Sequence, residues 1–146
     1  MSRILEKQWR NNMMNVNELM LGDYINVSGH GNPIELGIVE EVSDVGNETT
    51  IGLKDCSGIF AGNEISPIAL TKEFFLKNKF KVLYTYHNVV RIYCQKDVTL
   101  KIDLWQTEDG LRCSVYDDKI RVNYVHEFQH LLRLIGLSEM ANNLKL

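Results

Sequence analysis

Positive charge is almost missing from one long stretch of this chain. Residues 15–70 hold a single base, Lys54, against nine acids, a net charge of −8, and they contain no arginine. Such a segment repels phosphate and anionic lipid, which argues against nucleic acid or a membrane surface as its partner. Long apolar runs are missing as well: none approaches the roughly 18 residues that a bilayer-spanning helix needs. The opening MSRILEKQWRNNMM has no apolar core of the kind a secretory signal carries. Cysteine is scarce and unpatterned. Cys56, Cys94 and Cys113 are odd in number, scattered, and form no C-x-x-C. That excludes a disulfide frame or zinc knuckle and predicts reduced, buried thiols in a cytoplasmic protein.

What is present is a globular composition. At 45% hydrophobic and 24% charged residues over 146 positions, wholesale disorder is excluded, and there is room for one domain or two very small ones. Residues 1–14 are polar and read as an N-terminal extension. From there short strands dominate: GDYINVS (22–28), ELGIVEEVS (35–43), ETTIGLKD (48–55) and SGIFAGNEISPI (57–68), separated by Gly- and Asn-containing turns such as GHGNP (29–33). Four or five strands in so short a stretch predict a small, SH3-like antiparallel β-barrel over 15–70.

Residues 71–146 change character. Thr71 is placed to cap a short helix carrying Phe74, Phe75 and Leu76 and ending near Asn78. Strands return at 81–87, 89–94, 98–105, 111–116 and 119–124, with corners at Asn88, 108–110 and Asp117-Asp118. Val98, Leu100, Ile102 and Leu104 alternate with Thr99, Lys101 and Asp103, the pattern of a half-buried antiparallel strand. A closing helix over 124–136 stops at Gly136. The expected fold is therefore α+β: an N-terminal SH3-like barrel, then a helix, an antiparallel β-meander and a C-terminal helix, the two segments able to pack as one domain.

The closing helix carries the most specific motif, His126-Glu127-x-x-His130. Two histidines one turn apart can hold zinc, and the intervening glutamate can act as general base on a zinc-bound water. The reading that follows is a zinc-dependent metallohydrolase with His126 and His130 as ligands and Glu127 as base. Two features of the sequence oppose it. A catalytic zinc takes a third protein ligand, and after His130 the only acid is Glu139; the positions where related motifs carry Gly and His hold Arg133 and Gly136. On a helical wheel, Tyr124, Val125, Phe128, Leu131, Leu132 and Ile135 form one stripe, and His126, His130 and Arg133 lie opposite, so the imidazoles are expected to face away from the core.

NVNELMLGDYINV (15–27), PIALTKEFFLKNKF (67–80) and YVHEFQHLLRLIG (124–136) resemble a group of short, uncharacterised proteins of gut bacteria and their phages or mobile elements. The resemblance reaches across residues 14–146 and implies that Met14 is where the usual product begins. It implies no activity. In that group the closing helix resembles Y-V-H-x-L-Q-x-L, which makes the pattern a docking helix rather than a metal site.

Weaker candidates have plainer readings beside them. GDYINVSGHGNPIELGIVEEV resembles the opening of an RNA-contacting SH3-like barrel, but its acidity opposes phosphate. His30 reads as a loop histidine. Cys94 near His87 could suggest a thiol nucleophile, yet both sit in alternating apolar strands, and Cys56 has no base tied to it by spacing. Glu40, Glu41, Asp44 and Glu48 lack the spacing of a calcium loop. Trp105, with Tyr116 and Tyr124, could make an aromatic contact patch, core filling being the default. The expected function is a non-enzymatic accessory or protein-interaction module of a phage or mobile element, without cofactor, with a protein partner or a second copy of itself and no membrane. Zinc hydrolase ranks second and a nucleic-acid-binding SH3-like barrel third.

Overall fold

The computed structural model describes residues 18–28, 35–45, 48–56, 58–115 and 119–146. The expected N-terminal extension, the 29–33 turn with His30, Tyr116 and the Asp117-Asp118 corner lie outside the described residues. The chain divides into two compact units, Met1–Ile68 and Ala69–Leu146.

In the first unit, β1 (Tyr24–Val27), β2 (Glu35–Val45), β3 (Glu48–Leu53), β4 (Ile59–Phe60) and β5 (Ile65–Ser66) form one antiparallel sheet in the order β4-β3-β2-β1-β5. The sheet has two edges, β4 and β5, where a closed barrel was expected. Period-2 patterning drives it: Ile25, Val39, Ile51 and Leu53 turn inward and meet Leu19, Phe60 and Ile65 in one apolar cluster. A bulge between Val39 and Glu41 shifts the register of β2 against β3. Gly37 is required by close approach, since a Cβ there would stand 2.8 Å from Val27 Cγ2 and 2.9 Å from Leu53 Cδ1. Glu35, Glu40, Glu41, Asp44 and Glu48 are all exposed. Asp23 is the exception, fully buried, with its carboxylate accepting from the Met20 N–H at 2.8 Å.

The second unit opens with α1 (Lys72–Lys77), capped as expected by Thr71, whose Oγ1 accepts from the Phe74 N–H at 3.1 Å. Asn78 ends the helix. Its buried amide donates to Phe74 O and Lys145 O and accepts from Lys145 N–H, which ties the C-terminal tail to this turn. The strands β6 (Phe80–Tyr86), β7 (Val89–Cys94), β8 (Lys101–Thr107), β9 (Gly110–Val115) and β10 (Ile120–Val122) follow in spatial order β10-β9-β8-β7-β6, an unbroken antiparallel meander. Leu100, Ile102 and Leu104 are buried as the alternation predicts, but Val98 is 62% exposed and precedes the strand. Asp97 is the reason: its Oδ1 accepts from the N–H and hydroxyl of Thr99, and this side-chain turn delays the strand to Lys101.

Two helices close the chain, α2 (Val125–Leu134) and α3 (Ser138–Asn142). Phe128 of α2 meets Phe74, Phe75 and Phe80 edge to face, with centroids 5.3 to 6.1 Å apart. Gly136, at φ +88°, ends α2 as expected; Leu137 N–H reaches Leu132 O at 2.7 Å and Gly136 N–H reaches Arg133 O at 3.2 Å. This paired-bond terminus turns the chain into α3, a helix the sequence pattern did not indicate. Among the described residues no helix is long and apolar enough to cross a membrane.

Candidate functional site

The H-E-x-x-H residues all fall on α2, and the structure brings the two imidazoles together. The rings of His126 and His130 lie edge to face with centroids 5.7 Å apart, and Tyr124 stacks on His126 at 5.9 Å and 11° between planes. The expectation that they look outward is corrected. His126 is only 3% exposed, while His130 and Arg133 are half-buried. The buried residues of α2 include Val125, His126, Phe128, Gln129, Leu131 and Leu132, which span more than the apolar stripe. The wheel failed because it reports which side of a helix is apolar, not which sides are covered. Helix α3 covers one flank: Gln129 donates its amide to Ala141 O at 3.1 Å and is fully buried.

Glu127 serves the start of its own helix. It is the third residue of α2, and its Oε1 accepts from the N–H of Tyr124 at 3.1 Å and of Asn123 at 3.0 Å. The carboxylate therefore caps the start of its own helix, satisfying N–H groups that have no intrahelical partner. Among the described residues, no group of three or more His, Cys, Asp or Glu side chains is arranged to hold a metal ion. His87 sits in the β6–β7 turn at φ +52° with its ring on Tyr86.

The other candidates separate. Cys94 is fully buried and pairs with Phe80 at the end of β7 remote from His87. Cys113 is buried as well, and desolvation pushes its thiol from an ordinary 9.0 up to about 12. Cys56 is exposed, contrary to the expectation of three buried thiols. In the acidic hairpin, Glu41 accepts from the Ser43 hydroxyl and Asp44 from the Thr49 hydroxyl, so these carboxylates serve the local turn.

A surface that the sequence motifs did not single out lies on the face of the second sheet opposite the core. Antiparallel register groups it into cross-strand rows. One row runs Lys81, Tyr93, Lys101. The next runs Tyr84, Arg91, Asp103, Ser114, Arg121, in which Ser114 is covered and buried. A third runs Tyr86, Val89, Trp105, Arg112. Five bases and four aromatic rings thus share a face whose sole acid, among these positions, is Asp103. Trp105, for which core filling was the default, stands half-buried on this outer face. Tyr84 and Tyr86 are 47% and 66% exposed, and Lys81, Lys101 and Arg121 are exposed. Strand parity was the signal available: Arg91, Tyr93, Lys101, Trp105 and Arg121 are all odd-numbered positions of alternating strands. On the core side, a cleft of about 390 Å³ opens where Thr71 and Lys72 approach Val90, Leu104 and Leu111.

No protein-family model, curated protein or solved structure matches the chain. The functional reading therefore rests on the residues themselves.

Proposed function

We propose that the chain is a non-enzymatic binding module whose working surface is the outer face of the β6–β10 sheet. The observation that carries this reading is the position of Glu127. Its Oε1 is taken up by two N–H groups at its own helix start, which is the role of a capping carboxylate. Uncapping costs about 1 kcal/mol. The acidic first unit is read as a small SH3-like barrel that serves as scaffold. Its support is the strand order, the sharing of β1 between β2 and β5, and the 3₁₀ turn Gly62–Glu64 leading into the last strand. An accessory role in a phage or mobile element follows from the resemblance of the three quoted stretches.

The metallohydrolase reading, with His126 and His130 as zinc ligands and Glu127 as base, keeps one observation in its favour, the adjacency of the two rings. Elemental analysis of protein purified without a histidine tag separates the two. The module reading expects zinc far below one ion per chain and no change in it for His130→Ala. Near-stoichiometric zinc that His130→Ala abolishes, with peptide hydrolysis lost in Glu127→Gln, would sink it. Light scattering coupled to a sizing column tests the self-association that the open β6 edge, with Val82, Leu83, Tyr84 and Tyr86 exposed, leaves open to a second copy.

A further inference from the structure

We infer that the outer face of the β6–β10 sheet binds a single strand of nucleic acid, an assignment that rests on reading this face as the working surface. The acidity that argued against such a ligand belongs to residues 15–70, at −8, and not to the strands of this sheet. The sheet sorts the charge. Alternation sends Lys81, Lys101, Arg112 and Arg121 to one face and leaves Asp103 as the sole acid among its described paired positions, committed to Arg91. A strip of cations on a solvent-facing sheet attracts a polyanion by counterion release, whatever the sign of the rest of the molecule.

Charge alone would fit any polyanion; the rings narrow the class. Tyr84, Tyr86, Tyr93 and Trp105 lie on three neighbouring strands, about 4.8 Å apart laterally. Flat aromatic faces interleaved with bases of the protein accept unpaired nucleobases by stacking while the cations follow the phosphates. A duplex keeps its base faces hidden, so the arrangement selects a single strand. Arg91 adds rigidity: its guanidinium sits 5.4 Å from the Tyr84 ring centroid while Asp103 holds its far side. Discrimination among base sequences is not built in, since stacking tolerates every base.

The test is fluorescence anisotropy of the full chain with fluorescein-labelled oligothymidylate and oligouridylate of about 15 nucleotides. Binding is expected to weaken with salt, with a log–log slope near −3 for about four phosphates at roughly −0.7 each. Tyr86→Ala is expected to weaken it about fivefold or more, by loss of one stacked base. The R112Q/R121Q pair is expected to lower the slope by about 1.4. Lys54→Gln, in the first unit, should bind as the parent does. The proposal falls if neither oligonucleotide binds at about 50 mM salt, if Tyr86→Ala and R112Q/R121Q both bind like the parent, or if polyglutamate of equal length competes as well as the oligonucleotide. It also falls if a duplex binds more tightly than its single strand. Such a failure leaves the module reading standing, because that reading yields only to zinc-dependent hydrolysis that Glu127→Gln removes.

Discussion

Arg91 on β7 and Asp103 on β8 stand directly opposite each other and close a two-pronged ion pair, Nε to Oδ1 at 2.6 Å and Nη2 to Oδ2 at 2.7 Å. Their side chains are 27% and 18% exposed, shielded enough for the geometry to matter and wet enough for water to screen it. The pair locks one arginine of the basic face in place while its neighbours keep their reach. Asp103→Asn keeps the shape, removes the charge and leaves the fork half-satisfied. The expected loss is about 1 kcal/mol of stability, read from urea denaturation. Oligonucleotide affinity should rise in the same variant, because the face gains a net positive charge.

Glu127 offers a test that separates a cap from a catalyst. Glu127→Ala leaves the N–H groups of Asn123 and Tyr124 without their acceptor and should lower stability by about 1 kcal/mol. Glu127→Gln retains a carbonyl acceptor and should lose roughly half as much or less. Thermal denaturation of the two variants beside the parent checks the order. Equal stability of all three would refute the capping role.

In the first sheet, Gly37→Ala drives a methyl into Val27 and Leu53. Neighbouring chains must shift, at about 1–3 kcal/mol, and no new cavity or lost hydrogen bond accompanies the change. Gly136→Ala meets open space but holds its φ at +88°, so the expected loss of about 1 kcal/mol comes from backbone conformation alone. Chemical denaturation of each variant measures both, and a neutral Gly37→Ala would mean the two sheet strands are further apart than described.

The thiols should divide sharply. Cys56 is exposed and Cys94 and Cys113 are buried, so a chromogenic disulfide reagent should titrate one thiol in the native protein and three in denaturant. Cys113 also predicts an alkaline sensitivity. The unfolded chain releases this proton near pH 9.0, whereas the folded chain retains it to about 12. The native state therefore binds more protons in that window, and stability falls as pH rises through it, by at most about 1.4 kcal/mol per pH unit. Below pH 9 the group contributes no slope. Cys113→Ala should flatten the decline; an unchanged decline would place its origin elsewhere.

Local chemistry was legible before any coordinates. Thr71, Asn78 and Gly136 mark helix ends because their side chains, or the lack of one, meet the needs of an unpaired backbone group within a few residues. Leu100, Ile102 and Leu104 announce a buried strand face because a pleat repeats every second residue. The same reasoning overran at Val98, where Asp97 forms a side-chain turn that competes with the strand.

What sequence pattern could not decide was coverage. His126, His130 and Arg133 lie opposite an apolar stripe, which says nothing about whether a later segment returns to shelter that side. Gln129 reaching Ala141 shows that α3 returns to one flank of the helix, and His126 is buried as well. Nor could the pattern show that Glu127 bends back to its own helix start, since a short carboxylate has two partners within reach and only the fold chooses. The amino-acid sequence by itself determined the order of helices and strands, α3 excepted, and the parity of residues along them, because those follow from short-range sterics and hydrogen bonding. Tertiary structure alone decided which charges and rings share a face and which histidine leaves solvent, because those depend on strands and helices far apart in the chain coming to lie side by side.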